Sequence, residues 1–271
     1  MKKWLTGLMS ILSVILVLSA CGNGQTDEEA DDGAAGGSSA SYDSLTVGLD
    51  DTFPPMGFRD DNGDLVGFDI DLAKEVGERL DIEMDFQAID WSLKETELDA
   101  GNIDLIWNGY TVTPEREEKV LFSEPYMENS QMIVVAEDSD IQTKEDLEGK
   151  VVAAQQSSSA VDAINGDEGD YPASFANGEV VQYPSNNDVF NDLISGRADA
   201  IVVDEVMGRY YMSLNDDFAY RVLEDNFGEE VYAVGMRKED TALKEEFDAA
   251  LQEIIDDGTY DEIYGKWFSE E

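Results

Sequence analysis

The sequence predicts an α/β fold built as two lobes with a hinge and a cleft between them. Three observations carry this reading. Short apolar runs of strand character alternate with stretches of helical periodicity, which argues for sheets with helices on their faces. The alternation starts twice, once near Leu45 and again after Ala136. The chain also passes between the two halves twice, outward near residues 126–130 and back near 227–230.

Residues 45–49 read as a strand. The stretch 50–55 is a loop, because Pro54 and Pro55 cannot both sit in a central strand. Phe58-Arg59 and Leu65-Val66 frame an Asn62-Gly63 turn and predict a hairpin. The acids between Asp60 and Asp64 invite a calcium-loop reading. Leu65, however, stands at the sixth position, where an EF-hand needs glycine, so they are read as a turn. Ile70, Ala73, Val76, Gly77 and Leu80 recur at helical spacing, with Asp69 as the expected cap. Residues 82–86 form a strand, Trp91 follows in a loop, and 92–100 form a helix ending at Gly101.

Residues 103–116 read IDLIWNGYTVTPER. The apolar strand 103–107 is broken by Asn108 and Gly109. Thr113 can cap a helix, and Pro114 suits its first position because the missing N–H is not needed there. The strand thus ends in free backbone N–H groups, the Thr111 hydroxyl and Arg116 one turn into a short helix. That set can hold a small anion such as a carboxylate. An ordinary strand–turn–helix with a surface arginine fits the same residues, and Trp107 is read as core.

The second half repeats the pattern. Residues 122–126 are extended and 132–136 form a strand. Thr143 caps a short helix with Asp146 three residues on. Strand 151–154 ends in a polar turn, Gln155 to Ser159, which opens a helix to Ile164. A strand at 180–181, a helix at 187–194 stopped by Gly196, and a strand at 200–203 follow. The last of these runs into Asp204, Glu205 and a helix to Met212. Residues 220–223 close this half with a strand, and 231–234 return as another. Leu243, Phe247, Leu251 and Ile254 make one apolar helix face closed by Gly258, and 262–268 form a final short helix.

The 271 residues suffice for one large domain or two small ones. Seventeen basic residues face 62 acidic ones, a net charge of −45. Such a surface repels nucleic acid and anionic lipid, which excludes DNA and RNA as partners. It fits a salty or alkaline exterior, where carboxylates hold water and screening weakens repulsion. There is no histidine, which removes a Ser-His-Asp triad and the usual zinc ligand sets. No metal and no cofactor is expected. The single cysteine, Cys21, allows no intramolecular disulfide.

That cysteine has a place in the N-terminal pattern. Met1-Lys2-Lys3 is basic, and the apolar run 5–18 is too short for a comfortable membrane span. Leu18-Ser19-Ala20-Cys21 resembles a bacterial lipobox, in which cleavage precedes a cysteine that carries diacylglycerol; two acyl chains anchor stably. A plain secretory signal with a chance cysteine is the alternative. Residues 1–20 are therefore expected to be a lipoprotein signal peptide and 21–41 a disordered acidic tether. The protein is expected on the extracellular face of the membrane, held by lipid on Cys21.

Seven motifs then occur in one order: VGLDDTFPPMGF, GFDIDLAKEVGERL, NGYTVTPERE, FSEPYM, GKVVAAQQSSS, GRADAIVVDE and YGKWFSE. Together they resemble the polar amino-acid-binding proteins of ABC importers, the family 3 extracellular solute-binding proteins, over about residues 45–268. The resemblance implies a type II periplasmic-binding-protein-like fold with a double-crossover hinge. Residues 42–129 would form lobe 1, 130–228 lobe 2, and 229–271 the return to lobe 1. It implies a monomer that captures a polar L-amino acid in the cleft and delivers it to a membrane permease.

Site residues follow from the same resemblance. Arg116 grips the ligand α-carboxylate, aided by Thr111 and the backbone N–H near Gly109, and Asp204 takes the α-ammonium. Ser158 donates to the carboxylate from the second lobe. Phe53 and Trp91 flank the ligand stem, and Asp50 meets the distal nitrogen of a basic or amide side chain. Asn108 touches ligand or a bound water, and Gln155 lies where relatives vary with specificity. Phe53 also fits plain core and Asp50 a solvated acid. Physics supports the pairing of Arg116 with Asp204: a guanidinium fork matches a carboxylate bidentately, and a zwitterion needs both signs. They come from opposite lobes, so only a closed cleft satisfies both. Arginine, lysine, histidine, glutamine and cystine all stay open as ligands, with a basic or amide side chain favoured by Asp50. A cyclohexadienyl dehydratase-like enzyme on the same fold is the rival, as is a ligand-sensing domain. The lipobox and the Arg116–Asp204 pairing weigh against the enzyme, and the lack of a second membrane segment before Glu271 weighs against the sensor.

Overall fold

The computed structural model describes residues 42–268 apart from 168, 170 and 216. The expected signal peptide, Cys21 and the tether lie outside these residues.

The chain enters as β1 (Ser44–Leu49) and makes a small sheet from β2 (Thr52–Phe53), β3 (Gly57–Arg59) and β4 (Leu65–Val66). Next come α1 (Phe68–Leu80), β5 (Glu83–Ala88), α2 (Lys94–Asp99), β6 (Leu105–Ile106), α3 (Pro114–Lys119) and β7 (Leu121–Phe122). A long strand, β8 (Met127–Ala136), leads to β9 (Val152–Gln155), α4 (Ser159–Gly166), α5 (Tyr171–Ser174), β10 (Val181–Tyr183) and α6 (Asn186–Ile194). The chain continues through β11 (Ala200–Asp204), α7 (Glu205–Leu214) and β12 (Tyr220–Tyr232). It ends with β13 (Gly235–Met236), α8 (Thr241–Asp256) and α9 (Thr259–Phe268).

Two five-stranded mixed sheets form the two lobes, in the orders β5-β1-β6-β13-β7 and β10-β9-β11-β8-β12. In the first, β1 runs parallel to β5 and β6, while β13 returns antiparallel to β6 and β7. One sheet is therefore assembled from chain segments on both sides of the other. The apolar runs at its centre (Leu45, Val47, Leu49 and Leu105) are wholly buried, as strands covered on both faces require. Phe68, Val76, Phe247 and Ile254 cover them from α1 and α8. The second sheet buries Ile133, Val135, Val152 and Val202 against Ile164 of α4.

Four local expectations need correction. Residues 220–223 and 231–232 belong to one strand, β12, which pairs antiparallel with β8 from Tyr220↔Ala136 to Tyr232↔Met127, and 233–234 lie beyond its end. Its register shifts twice, between Val222 and Glu229, so the polar stretch 224–230 resembles a turn in sequence yet stays in the ladder. Asp69 does not cap α1. The helix starts at Phe68 after Gly67, whose φ of 148° and position 2.2 Å (for an added Cβ) from the Met56 carbonyl demand glycine. Residues 50–55 contain the two-residue strand β2, which pairs with β3. Helix α9 starts at Thr259 rather than 262, and α5 has no counterpart in the sequence reading.

Candidate functional site

Nine of the ten expected ligand-binding residues line a single cavity: Asp50, Phe53, Trp91, Asn108, Gly109, Arg116, Gln155, Ser158 and Asp204. Thr111 does not line it, and Ser159, which was not singled out, does. The cavity lies between the two sheets, and its walls come from strand ends and the turns that follow them, where parallel strands leave backbone groups free.

The first wall follows from β1 and β6. Asp50 sits just past β1 and is held by its own turn: its Oδ1 accepts from the Thr52 backbone N–H at 2.9 Å and from the Thr52 hydroxyl at 2.6 Å. Past β6, Asn108 Oδ1 accepts from the Asp50 backbone N–H at 3.2 Å, tying the two strand ends together. Gly109 has a φ of +55°, and a Cβ there would stand 2.8 Å from the Phe53 ring. Its N–H is already committed to Asp69 Oδ2 at 2.7 Å, so Gly109 offers the cavity close backbone approach rather than a free donor. Asp69 also accepts from the Tyr126 hydroxyl at 3.0 Å, and burial pushes its carboxyl up to about 7.

Arg116 is 4% exposed. Thr113 caps α3, its Oγ1 accepting from the Arg116 N–H at 3.2 Å, and this sets the first turn that carries the guanidinium. Nη1 donates to the Thr111 carbonyl at 3.0 Å and Nη2 to the Ser157 carbonyl at 3.3 Å, while the group lies 4.7 Å from the Tyr110 ring centroid. The Ser157 carbonyl also accepts from Lys94 Nζ at 3.1 Å. Lys94 is buried beneath Trp91. Burial first, then the nearby Arg116 charge, push its ammonium down to about 8.

The opposite wall comes from the second sheet. Gln155 ends β9 and reaches across the cleft, its Nε2 donating to Asp50 Oδ2 at 2.8 Å. Ser158 stands at the start of α4 and donates to the Gln155 carbonyl at 2.7 Å. Burial raises the Asp50 carboxyl above its ordinary range, against the lowering by the Thr52 and Gln155 hydrogen bonds. With the Arg116–Ser157 and Lys94–Ser157 bonds, these contacts hold the two lobes together around the cavity.

Asp204 ends β11 and is 6% exposed. Its Oδ1 accepts from Asn129 Nδ2 at 2.8 Å, Gln131 Nε2 at 3.0 Å and the Tyr232 hydroxyl at 2.9 Å. Beside it, Glu230 Oε1 accepts from the Thr111 hydroxyl at 2.8 Å, Gln131 Nε2 at 2.8 Å and Asn129 Nδ2 at 2.5 Å. Burial, then Glu230, drive the Asp204 carboxyl well above the usual range. Thr111 thus serves the strands joining the lobes rather than the cavity, with Ser159 Oγ 3.1 Å away on the other side of the cleft.

The arrangement can hold a small zwitterion. A guanidinium, two acids and two aromatic faces line one cavity. Sequence reasoning passed over Ser159, Lys94, Asn129, Gln131 and Glu230. Two signals were available: a lysine in a helix otherwise packed by Leu98, and two polar residues two apart in the apolar strand that continues as Met132–Val135. Glu230 had no signal, since one glutamate among so many acids is invisible.

The family description "Bacterial extracellular solute-binding proteins, family 3" matches residues 45–270. An arginine-binding extracellular protein of Bacillus subtilis is 30% identical over 271 residues, all of both chains. A lysine/arginine/ornithine-binding periplasmic protein of Escherichia coli is 32% identical over 243 residues, 87% of this chain and 91% of its own. Among solved structures, a substrate-binding protein of an ABC uptake transporter from Streptococcus pneumoniae with bound histidine superposes with a TM-score of 0.81. It is 42% identical and covers 84% of this chain and 93% of its own.

Proposed function

The chain belongs to the bacterial extracellular solute-binding proteins of family 3, and from that premise we propose that its cleft takes an L-amino acid with a basic side chain for uptake through an ABC permease. It is a binding protein rather than an enzyme, as are the relatives named above. The observation that carries the ligand class is the set of charged side chains lining one cavity, Arg116, Asp204 and Asp50. A basic amino acid presents one carboxylate and two cations, and these three side chains match all three signs. Trp91 and Phe53 supply faces for the aliphatic or cationic stem. Asn108, Gly109, Gln155, Ser158 and Ser159 complete the lining, and the Thr111 hydroxyl donates to Glu230 outside it. The names of the relatives, which include arginine and lysine binders, support the same class.

Residues 1–20 are proposed as a signal peptide, and Cys21 as the lipid-bearing residue that holds the mature protein, through the tether at 21–41, to the outer face of the membrane. Lobe boundaries near residues 129 and 228 are proposed on the two strands that cross between the sheets.

Isothermal titration with L-arginine, L-lysine, L-histidine and L-glutamine tests the ligand class. Asp50→Asn should weaken L-arginine and L-lysine at least tenfold, about 1.4 kcal/mol, and L-glutamine less. Equal losses for all four would remove Asp50 from side-chain recognition, and no heat with any of them would overturn the proposal.

A further inference from the structure

The two carboxylates at the ammonium end of the cavity are brought together by one sheet. On β8, Asn129 and Gln131 are two residues apart and share a face. Asp204 pairs with Gln131 across one side of β8, and Glu230 pairs with Asn129 across the other. The Nδ2 of Asn129 and the Nε2 of Gln131 each donate to both carboxylates. The geometry is therefore built into the order β11-β8-β12 and does not wait for the cleft to close.

Every other group against this pair is neutral or turned elsewhere. Thr111 and Ser159 bring hydroxyls to Glu230, and Tyr232 brings its hydroxyl to Asp204. The Tyr232 and Tyr126 phenols are buried, which holds both well above their ordinary range and so uncharged. Glu205 faces Ser130 and Arg209. Glu229 is exposed beside Asn226. Asp162 lies among the Arg116 and Lys94 charges, and Arg116 bonds the Thr111 and Ser157 carbonyls. Among the described residues, neither Asp204 nor Glu230 has an ion-pair partner within 4.0 Å. A buried carboxylate with a second carboxylate on the same donors does not ionise cheaply.

We infer that Glu230 is a positioning residue that, as a second acid across β8, helps hold a proton on Asp204, and that this proton leaves to solvent when an amino acid's α-ammonium arrives, so that capture releases a proton. The inference rests on the proposed role of Asp204. The ammonium keeps its own protons and replaces the Asp204 proton as the positive charge beside the carboxylates. Affinity then rises with pH while Asp204 in the free protein still holds its proton and levels off once it does not.

Titration calorimetry with L-arginine and L-histidine, from about pH 5 to about pH 8 in buffers of differing ionisation enthalpy, counts the protons released. The purified protein should release close to one proton per ligand at the acid end. Glu230→Gln removes the like charge and should reduce that release at a given pH, moving the pH profile of affinity to lower pH. Glu230→Asp keeps the charge and should retain the release, which also controls for damage to the fold. Binding without proton release in the unaltered protein, or equal release in Glu230→Gln, would overturn the inference and leave amino-acid binding standing. No binding of either amino acid would overturn the reading of the site and this inference with it.

Discussion

Arg116 is a cation held almost out of water by two carbonyls and an aromatic face. Carbonyls orient a guanidinium but do not neutralise it, so an arriving carboxylate gains a charge-assisted bond without competing against a carboxylate already in place. Arg116→Ala should lower amino-acid affinity by about 3–5 kcal/mol, because the ligand carboxylate would be buried without its counter-charge. Near-normal affinity in that variant, read by titration calorimetry, would remove Arg116 from the site. Asp69 makes a second prediction, on stability. Its carboxyl ionises near 4 in the unfolded chain, and burial pushes it to about 7 in the fold. Between those values the unfolded state loses its proton first, so this residue's contribution to stability falls as pH rises from about 4 to about 7. Asp69→Asn has no proton to lose. Its melting temperature relative to the unaltered protein should therefore climb over that range, and a constant difference would count against the assignment.

Short elements position the site, and each depends on a few local bonds. Helix α3 has only six residues, too few to be stable by propensity, so its cap matters more than its length. Thr113→Ala should cost about 1 kcal/mol in urea unfolding and weaken amino-acid binding, since the lost bond fixes the N–H of Arg116 itself. If neither stability nor binding changes, the cap does not hold the arginine. The β8–β12 ribbon plays the complementary part. It is continuous through both crossings between lobes, and its two register shifts fall in the stretch leading to Glu230. A ladder that is regular at both ends and irregular between them can flex without losing its pairing.

Across the molecule, 62 acidic residues act against 17 basic ones. The ion pairs formed are mostly partly exposed and each contributes little, so the dominant electrostatic term is general repulsion. Screening lengths fall from about 10 Å at 0.1 M salt to about 3 Å at 1 M, which weakens repulsion between neighbouring surface carboxylates. The melting temperature should rise with NaCl across that range, and a flat response would refute a fold adapted to a salty exterior. No helix among the described residues is long and apolar enough to cross a membrane.

Sequence by itself determined what local chemistry determines. Apolar periodicity set the order of strands and helices, Thr113-Pro114 marked the start of α3, Thr143 and Asp146 formed their capping box, and Asn62-Gly63 turned its hairpin. The family resemblance carried by the ordered motifs was enough to name Arg116, Asp204 and seven more lining residues, most of which sit at a strand end or in the turn after it. Tertiary structure decided which polar groups spend their hydrogen bonds on one another. Gly109 donates to Asp69, Thr111 to Glu230, and Gln155 to Asp50 across the cleft. These partners stand 40, 119 and 105 residues apart. A buried polar group must find a partner wherever the fold supplies one, and distance along the chain does not say where that is. The same reason hid Glu230: its meaning comes from lying across β8 from Asp204, a neighbourhood that exists only once the sheet has formed.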